Sequence, residues 1–201
     1  HDSFTSDEWK FGIVLLELLQ VKTKGMKNQH ELVGALFEVL EHFLQLNHES
    51  EIEYAIQIIL TLLLSICQQI TPTGREHRQC NIPDSMLKTE LVINCIKKSP
   101  NPQTHHHALL LLSHLALMTP DQVLHDIIPI FTFVGNALVR HDDSYSYQII
   151  EKVIENIIPK LIRHENELKA VIPVLKIFSS IVLDVPEHRR LALYTKLLQT
   201  L

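Results

Sequence analysis

Three consecutive histidines, His105, His106 and His107, with His114 one helical span beyond, are the residues that most resemble a metal-binding set. A zinc site needs three or four ligands converging at about 2 Å. Consecutive helical residues point roughly 100° apart, so three in a row do not converge. No cysteine stands at a usual ligand spacing from them. They read as helix-start histidines, partly exposed, with one packed. Cys67, Cys80 and Cys95 form no C-x-x-C pair, and their odd number favours a reducing compartment over a disulfide framework. Cys67 or Cys95 with a distant histidine would make a nucleophile pair, but both lie in apolar helical patterns that disfavour a thiolate. No G-x-S-x-G, phosphate-cradling glycine loop or H-E-x-x-H occurs. The paired acids Glu51/Glu53 and Asp142/Asp143 sit at helix starts, where capping accounts for them. The expectation is a non-enzymatic chain with no catalytic, cofactor-binding or metal-binding residues, no cofactor and no small-molecule substrate.

Basic residues gather at Lys22/Lys24/Lys27, Arg75/Arg78, Lys97/Lys98 and Arg189/Arg190. Most close helices, where the dipole alone favours cations. Solvated helix ends are the plain reading. Direct RNA contact at one cluster is the alternative, although no aromatic residues are interleaved for base stacking. A net charge of −5 argues against nucleic-acid binding through bulk charge. Tyr147 fits an apolar stripe. Tyr145 is either a turn-packing residue or a partner contact.

The elements that must position these residues are amphipathic helices. Hydrophobic residues make up 46% of the 201 residues and charged ones 20%, as in folded domains. Only five are glycine, which favours helices over hairpins built on positive φ. Ser6 precedes a helix lined by Trp9, Gly12, Ile13, Leu16 and Leu19 and closed at Lys22–Gly25. Leu32, Val33, Leu36, Phe37, Leu40, Phe43 and Leu44 stripe a second. A third, from Glu51 to Ile70, is apolar on most sides. Its core, Ala55 to Cys67, is interrupted by Gln57, Thr61 and Ser65 and falls short of the roughly 18–20 residues of a membrane span. The polar, acidic N-terminal residues are unlike a signal peptide.

Residues 71–83 hold Pro72, Gly74, Arg75, Arg78, Asn81 and Pro83, and predict an exposed loop. Asp84 is placed to cap a fourth helix carrying Leu87, Leu91, Val92, Cys95 and Ile96. Thr104 is placed to cap a fifth. Thr119-Pro120-Asp121-Gln122 opens a sixth as a capping box with proline at the first position. After His141-Asp142-Asp143, a seventh carries Ile150, Val153, Ile154, Ile157, Ile158 and Leu161 on one face. An eighth carries Leu168, Val171, Ile172, Leu175, Phe178 and Val182, and a ninth Leu191, Tyr194, Leu197, Leu198 and Leu201.

The periodicity thus predicts an all-α chain of about nine helices in antiparallel hairpins, the signature of an α-solenoid. The prolines in Ile127-Ile128-Pro129 and Val171-Ile172-Pro173 recur at a spacing that suits HEAT-type repeats of about 40–47 residues. Each would bend its helix. Neither the first nor the last helix has a polar cap, so residues 1–201 are expected to be one HEAT-repeat segment cut from a longer solenoid.

Three segments carry a more specific likeness: Asn101 to Leu112, Val123 to Phe133, and Asp142-Asp143-Ser144-Tyr145-Ser146-Tyr147-Gln148-Ile149-Ile150. They resemble the HEAT-repeat family of the small-subunit processome, the U3 small nucleolar ribonucleoprotein. The aspartates, tyrosines and glutamine of the last segment are not demanded by helix periodicity. The resemblance implies a nucleolar scaffold in small-subunit rRNA maturation and ribosomal DNA transcription. Its partners would be protein subunits of a large ribonucleoprotein assembly, with pre-rRNA or small nucleolar RNA reached through that assembly, and no membrane. Another HEAT-type adaptor, such as a transport receptor or chromosome scaffold, is the alternative.

Overall fold

The computed structural model describes residues 6–23, 26, 28–46, 50–70, 82–140, 143–164 and 168–201. Among them are ten α-helices and no β-strand: α1 (Asp7–Lys22), α2 (Leu32–Gln45), α3 (Ser50–Ile70), α4 (Thr89–Lys98), α5 (Pro102–Met118), α6 (Pro120–His125), α7 (Ile127–Arg140), α8 (Ser144–His164), α9 (Leu168–Ser180) and α10 (Glu187–Thr200). They fall into two compact units, His1–Leu111 and Leu112–Leu201, divided within α5.

In each unit a helix packs against its counterpart in the next hairpin. In the first unit α1 lies on α3, and α2 on both α3 and α4. In the second, α7 lies on α9, while α8 lies on α6, α9 and α10. This alternation is the two-layered stacking of an α-solenoid. The side-chain hydrogen bonds that tie counterpart helices together span about one repeat, from 37 residues for Tyr54–Glu17 to 54 for Lys98–Leu44.

The stripes read from the sequence become the cores. In the first unit α3 is central, burying Ile52, Ile56, Ile59, Leu63 and Ile66 among others, and α2 presents Val33, Leu36, Phe37, Leu40 and Leu44 to it. Helix α3 has 21 residues and an 18-residue window of mean hydropathy 1.5, long and apolar enough by that test to cross a membrane; here it is the core helix of its unit. In the second unit α8 buries Ile150, Val153, Ile154, Ile157, Ile158 and Leu161. Phe131, Phe178 and Tyr194 link α7, α9 and α10 in a chain of edge-on rings, with centroids 5.8 and 6.5 Å apart. Gly135 permits the close approach of α7 to α9, since a Cβ there would stand 3.2 Å from Ile177 Cγ2.

Several expectations are corrected. The predicted sixth helix is two, α6 and α7, parted at Asp126. The cause is Pro129, which has no N–H for the carbonyl of His125 and whose ring would crowd it. The chain restarts with Ile130 N bonded to Asp126 O, and Pro129 falls in a first turn, where its missing donor costs nothing. Pro173 lies inside α9, as does Pro159 inside α8, so the two matched prolines are not equivalent.

Helix α1 starts after Ser6 as expected, and Ser6 caps it by accepting from Trp9 N at 3.1 Å. Thr119 makes no cap bond; its hydroxyl turns back to Leu115 O. Helix α5 is capped by Asn101, whose Oδ1 accepts from Gln103 N, rather than by Thr104. Asp84 opens a short 3-10 turn, and α4 begins only at Thr89. The exposed loop assigned to 71–83 lies outside the described residues except at its end, where Ile82 is buried. In α10 the buried residues are Leu193 and Leu197, whereas Leu191 and Leu198 stand 80% and 68% exposed.

Candidate functional site

The histidines do not converge. The Nε2 of His105 bonds the Ser99 carbonyl at 2.7 Å. His107 and His114 turn inward, and burial holds both below the usual imidazole range, with the Lys152 charge adding to the effect at His114. Neither ring nitrogen of His114, nor Nδ1 of His107, has a hydrogen-bond partner. Among the described residues, no three His, Cys, Asp or Glu side chains come together as a metal-holding group. Cys67 and Cys95 are buried thiols. Burial, and then the charge of Glu53, pushes Cys95 up to about 12, far from a reactive thiolate. Cys80 lies outside the described residues.

Several members of the basic clusters are engaged within the fold. Lys98 donates to Leu44 O at 2.6 Å, tying the end of α4 to the end of α2. Arg189 stacks over Tyr147, 4.5 Å from the ring centroid, and donates to Ser144 Oγ. Arg190 donates to the carbonyls of Val185 and Leu183, closing the α9–α10 turn. Lys22 and Lys97 remain exposed. Lys24, Lys27, Arg75 and Arg78 lie outside the described residues. The paired acids also have structural work. Asp143 accepts from Ser146 N at 2.8 Å and from Ser146 Oγ, capping α8 as expected; Asp142 is not described. Tyr145 is half-exposed.

Sequence periodicity did not reveal Glu53 as a hub. Its Oε1 accepts from Ser99 Oγ and from Thr104 Oγ1, and Gln57 Nε2 donates to Thr104 Oγ1. Ser99 Oγ in turn accepts from Asn101 N at 3.0 Å. The network pins the α4–α5 connection to α3. These partners lie 46 to 51 residues apart in sequence, beyond any local signal.

What the described surface offers is apolar relief. Helix α1 has no buried residue. Phe11, Val14, Leu15, Leu18 and Val21 form an exposed stripe at helical spacing, reaching 74% exposure at Val21. Between α1 and α3 runs an open groove of about 330 Å³ lined by Trp9, Lys10, Ile13, Val14, Glu17, Glu51 and Tyr54. In the second unit, Leu183, Leu191 and Leu198 make a comparable exposed apolar set.

A family model described as "HEATR1-like, HEAT repeats" matches residues 166–201. The chain is 46% identical over 197 residues to the HEAT repeat-containing protein 1 homolog of Drosophila melanogaster, covering 98% of this chain. It is 39% identical over 204 residues to HEAT repeat-containing protein 1 of Homo sapiens, covering 96%. It is 34% identical over 194 residues to U3 small nucleolar RNA-associated protein 10 of Coccidioides immitis, covering 93%. The chain spans 9%, 10% and 10% of the lengths of these three relatives. Stacked helical hairpins and identity along nearly the whole chain agree: over the stretch they share, this chain belongs to the HEAT-repeat family of HEAT repeat-containing protein 1 and U3 small nucleolar RNA-associated protein 10.

Proposed function

We propose that this chain is one non-enzymatic segment of a longer HEAT-repeat scaffold in the small-subunit processome, acting in the nucleolus in pre-rRNA processing and small-subunit biogenesis. The observation that carries the reading is the stacking itself. Helices pack on counterparts one hairpin away, while α1 and α10 each leave apolar residues exposed on a free side. Such faces are buried in a solenoid by the next repeat. The relatives supply the setting, since several are named for association with U3 small nucleolar RNA. The scaffold holds protein subunits in register and meets RNA through them. Engagement of Lys98, Arg189 and Arg190 within the fold argues against direct phosphate contact by those residues.

The test is depletion of the endogenous full-length protein and rescue with wild type or with a form lacking this segment. Loss of the segment breaks the continuous stack and the spacing of the flanking surfaces. The expected result is accumulation of unprocessed small-subunit rRNA precursors and loss of nucleolar assembly. Full rescue by a stably expressed deletion overturns the proposal.

A further inference from the structure

The groove between α1 and α3 combines features that a plain stacking surface does not need. Its lining combines the aromatic rings of Trp9 and Tyr54, the aliphatic side chains of Ile13 and Val14, and the carboxylates of Glu17 and Glu51. The Tyr54 hydroxyl donates to Glu17 Oε1 at 2.6 Å, which fixes that carboxylate against the ring and keeps the phenol protonated. Ser50 Oγ donates to Glu51 at 2.7 Å and favours its anionic form. Among the described residues the lining holds one cation, Lys10, which pairs with Asp7 at 3.6 Å, against the two carboxylates of Glu17 and Glu51. The groove shares Val14 with the exposed stripe of α1, while its other α1 residues, Trp9, Ile13 and Glu17, lie about a quarter turn further round the helix.

Aromatic faces attract cations through their quadrupole, and carboxylates do so directly. Both repel phosphate. We propose that this groove is a docking site for an arginine or lysine side chain on an exposed segment of a partner protein, with flanking aliphatic residues of that segment resting on Ile13 and Val14. The groove gives the scaffold a protein-selective contact that excludes the RNA backbone.

The chain contains a single tryptophan, Trp9, which lines the groove and reports on it by fluorescence. The probe is acetyl-Leu-Arg-Leu-amide, with the isosteric neutral citrulline peptide as comparison. The arginine peptide is expected to give a saturable change that weakens as salt is raised, and the citrulline peptide little or none. Glu17→Gln or Glu51→Gln each weakens binding about two- to fivefold, the range of an exposed ion pair. Glu38→Gln, an exposed carboxylate outside the groove, leaves the titration unchanged. Absence of a saturable change, equal binding of the citrulline peptide, or full binding by the Glu17→Gln/Glu51→Gln double variant overturns the proposal. So does competition for the groove by a short single-stranded RNA.

Discussion

Glu53→Ala removes the acceptor that two buried hydroxyls share. Ser99 is 6% and Thr104 0% exposed, so water does not readily replace the carboxylate. Each hydroxyl keeps one bond, Ser99 from Asn101 N and Thr104 from Gln57 Nε2, but each loses its acceptor. A hydrogen bond to a charged group contributes about 1.5–3 kcal/mol, and two bonds to one oxygen are not additive. The expected destabilisation is about 3 kcal/mol. Glu53→Gln retains a carbonyl oxygen at the same place and should cost about 1 kcal/mol. The assay is urea unfolding followed by fluorescence of Trp9, which sits in α1, packed on α3 in the unit that holds the network. In a double-mutant cycle, Glu53→Ala with Thr104→Val should show coupling of about 1 kcal/mol or more. A Glu53→Ala variant as stable as wild type refutes the reasoning. Equal costs for alanine and glutamine, or no coupling, do so as well.

Ile154→Asp should destabilise by several kcal/mol, since it places a charge at a fully buried position of α8, whereas Glu151→Ala should change little; equal shifts of their urea midpoints would invert the face assignment. Gly12→Ala should stabilise by about 0.5–1 kcal/mol, because a Cβ there meets nothing within 4 Å. Gly135→Ala should lose that gain to the contacts at 3.2 and 3.3 Å with Ile177 and Ile181, and equal benefit at both glycines would remove the close approach of α7 to α9. Burial lowers the pKa of His114, so the stability it contributes is complete above its unfolded value of about 6.5 and is lost as pH falls towards the folded one. Melting at pH 7.5 and pH 5 should therefore show a fall that His114→Leu reduces; an unchanged slope would mean the ring is not held neutral by burial.

The stripes of α2 and α8 were legible because each apolar residue recurs on one face, and burial followed that face. Helix ends were less so. Thr119, Thr104 and Asp84 have the right types for caps, yet the hydroxyls of Thr119 and Thr104 bond elsewhere and α4 starts later than Asp84 allows. Local spacing does not reveal which of several acceptors a hydroxyl will find. The proline in Ile128-Pro129 signalled a disturbance, but whether a helix bends or breaks depends on what its neighbours can hold. The stacking of Arg189 on Tyr147 and the Glu53 hub join residues of different helices, and no periodicity connects them. Leu191 and Leu198 match a helical stripe as well as Leu193 and Leu197 do; which pair is covered depends on where α8 lies.

The span of about one repeat that separates bonded partners bears on how such a chain acquires its structure. Folding slows as contacting residues lie farther apart relative to chain length, because the loop must close before the contact rewards it. Here that loop stays one repeat long however many repeats precede or follow. A ribosome adds residues at about 5–20 per second, so each new hairpin emerges within seconds of the one it must dock on. Helices can then settle in order of synthesis, and an apolar face such as that of α8 need stay uncovered only until α10 has been made.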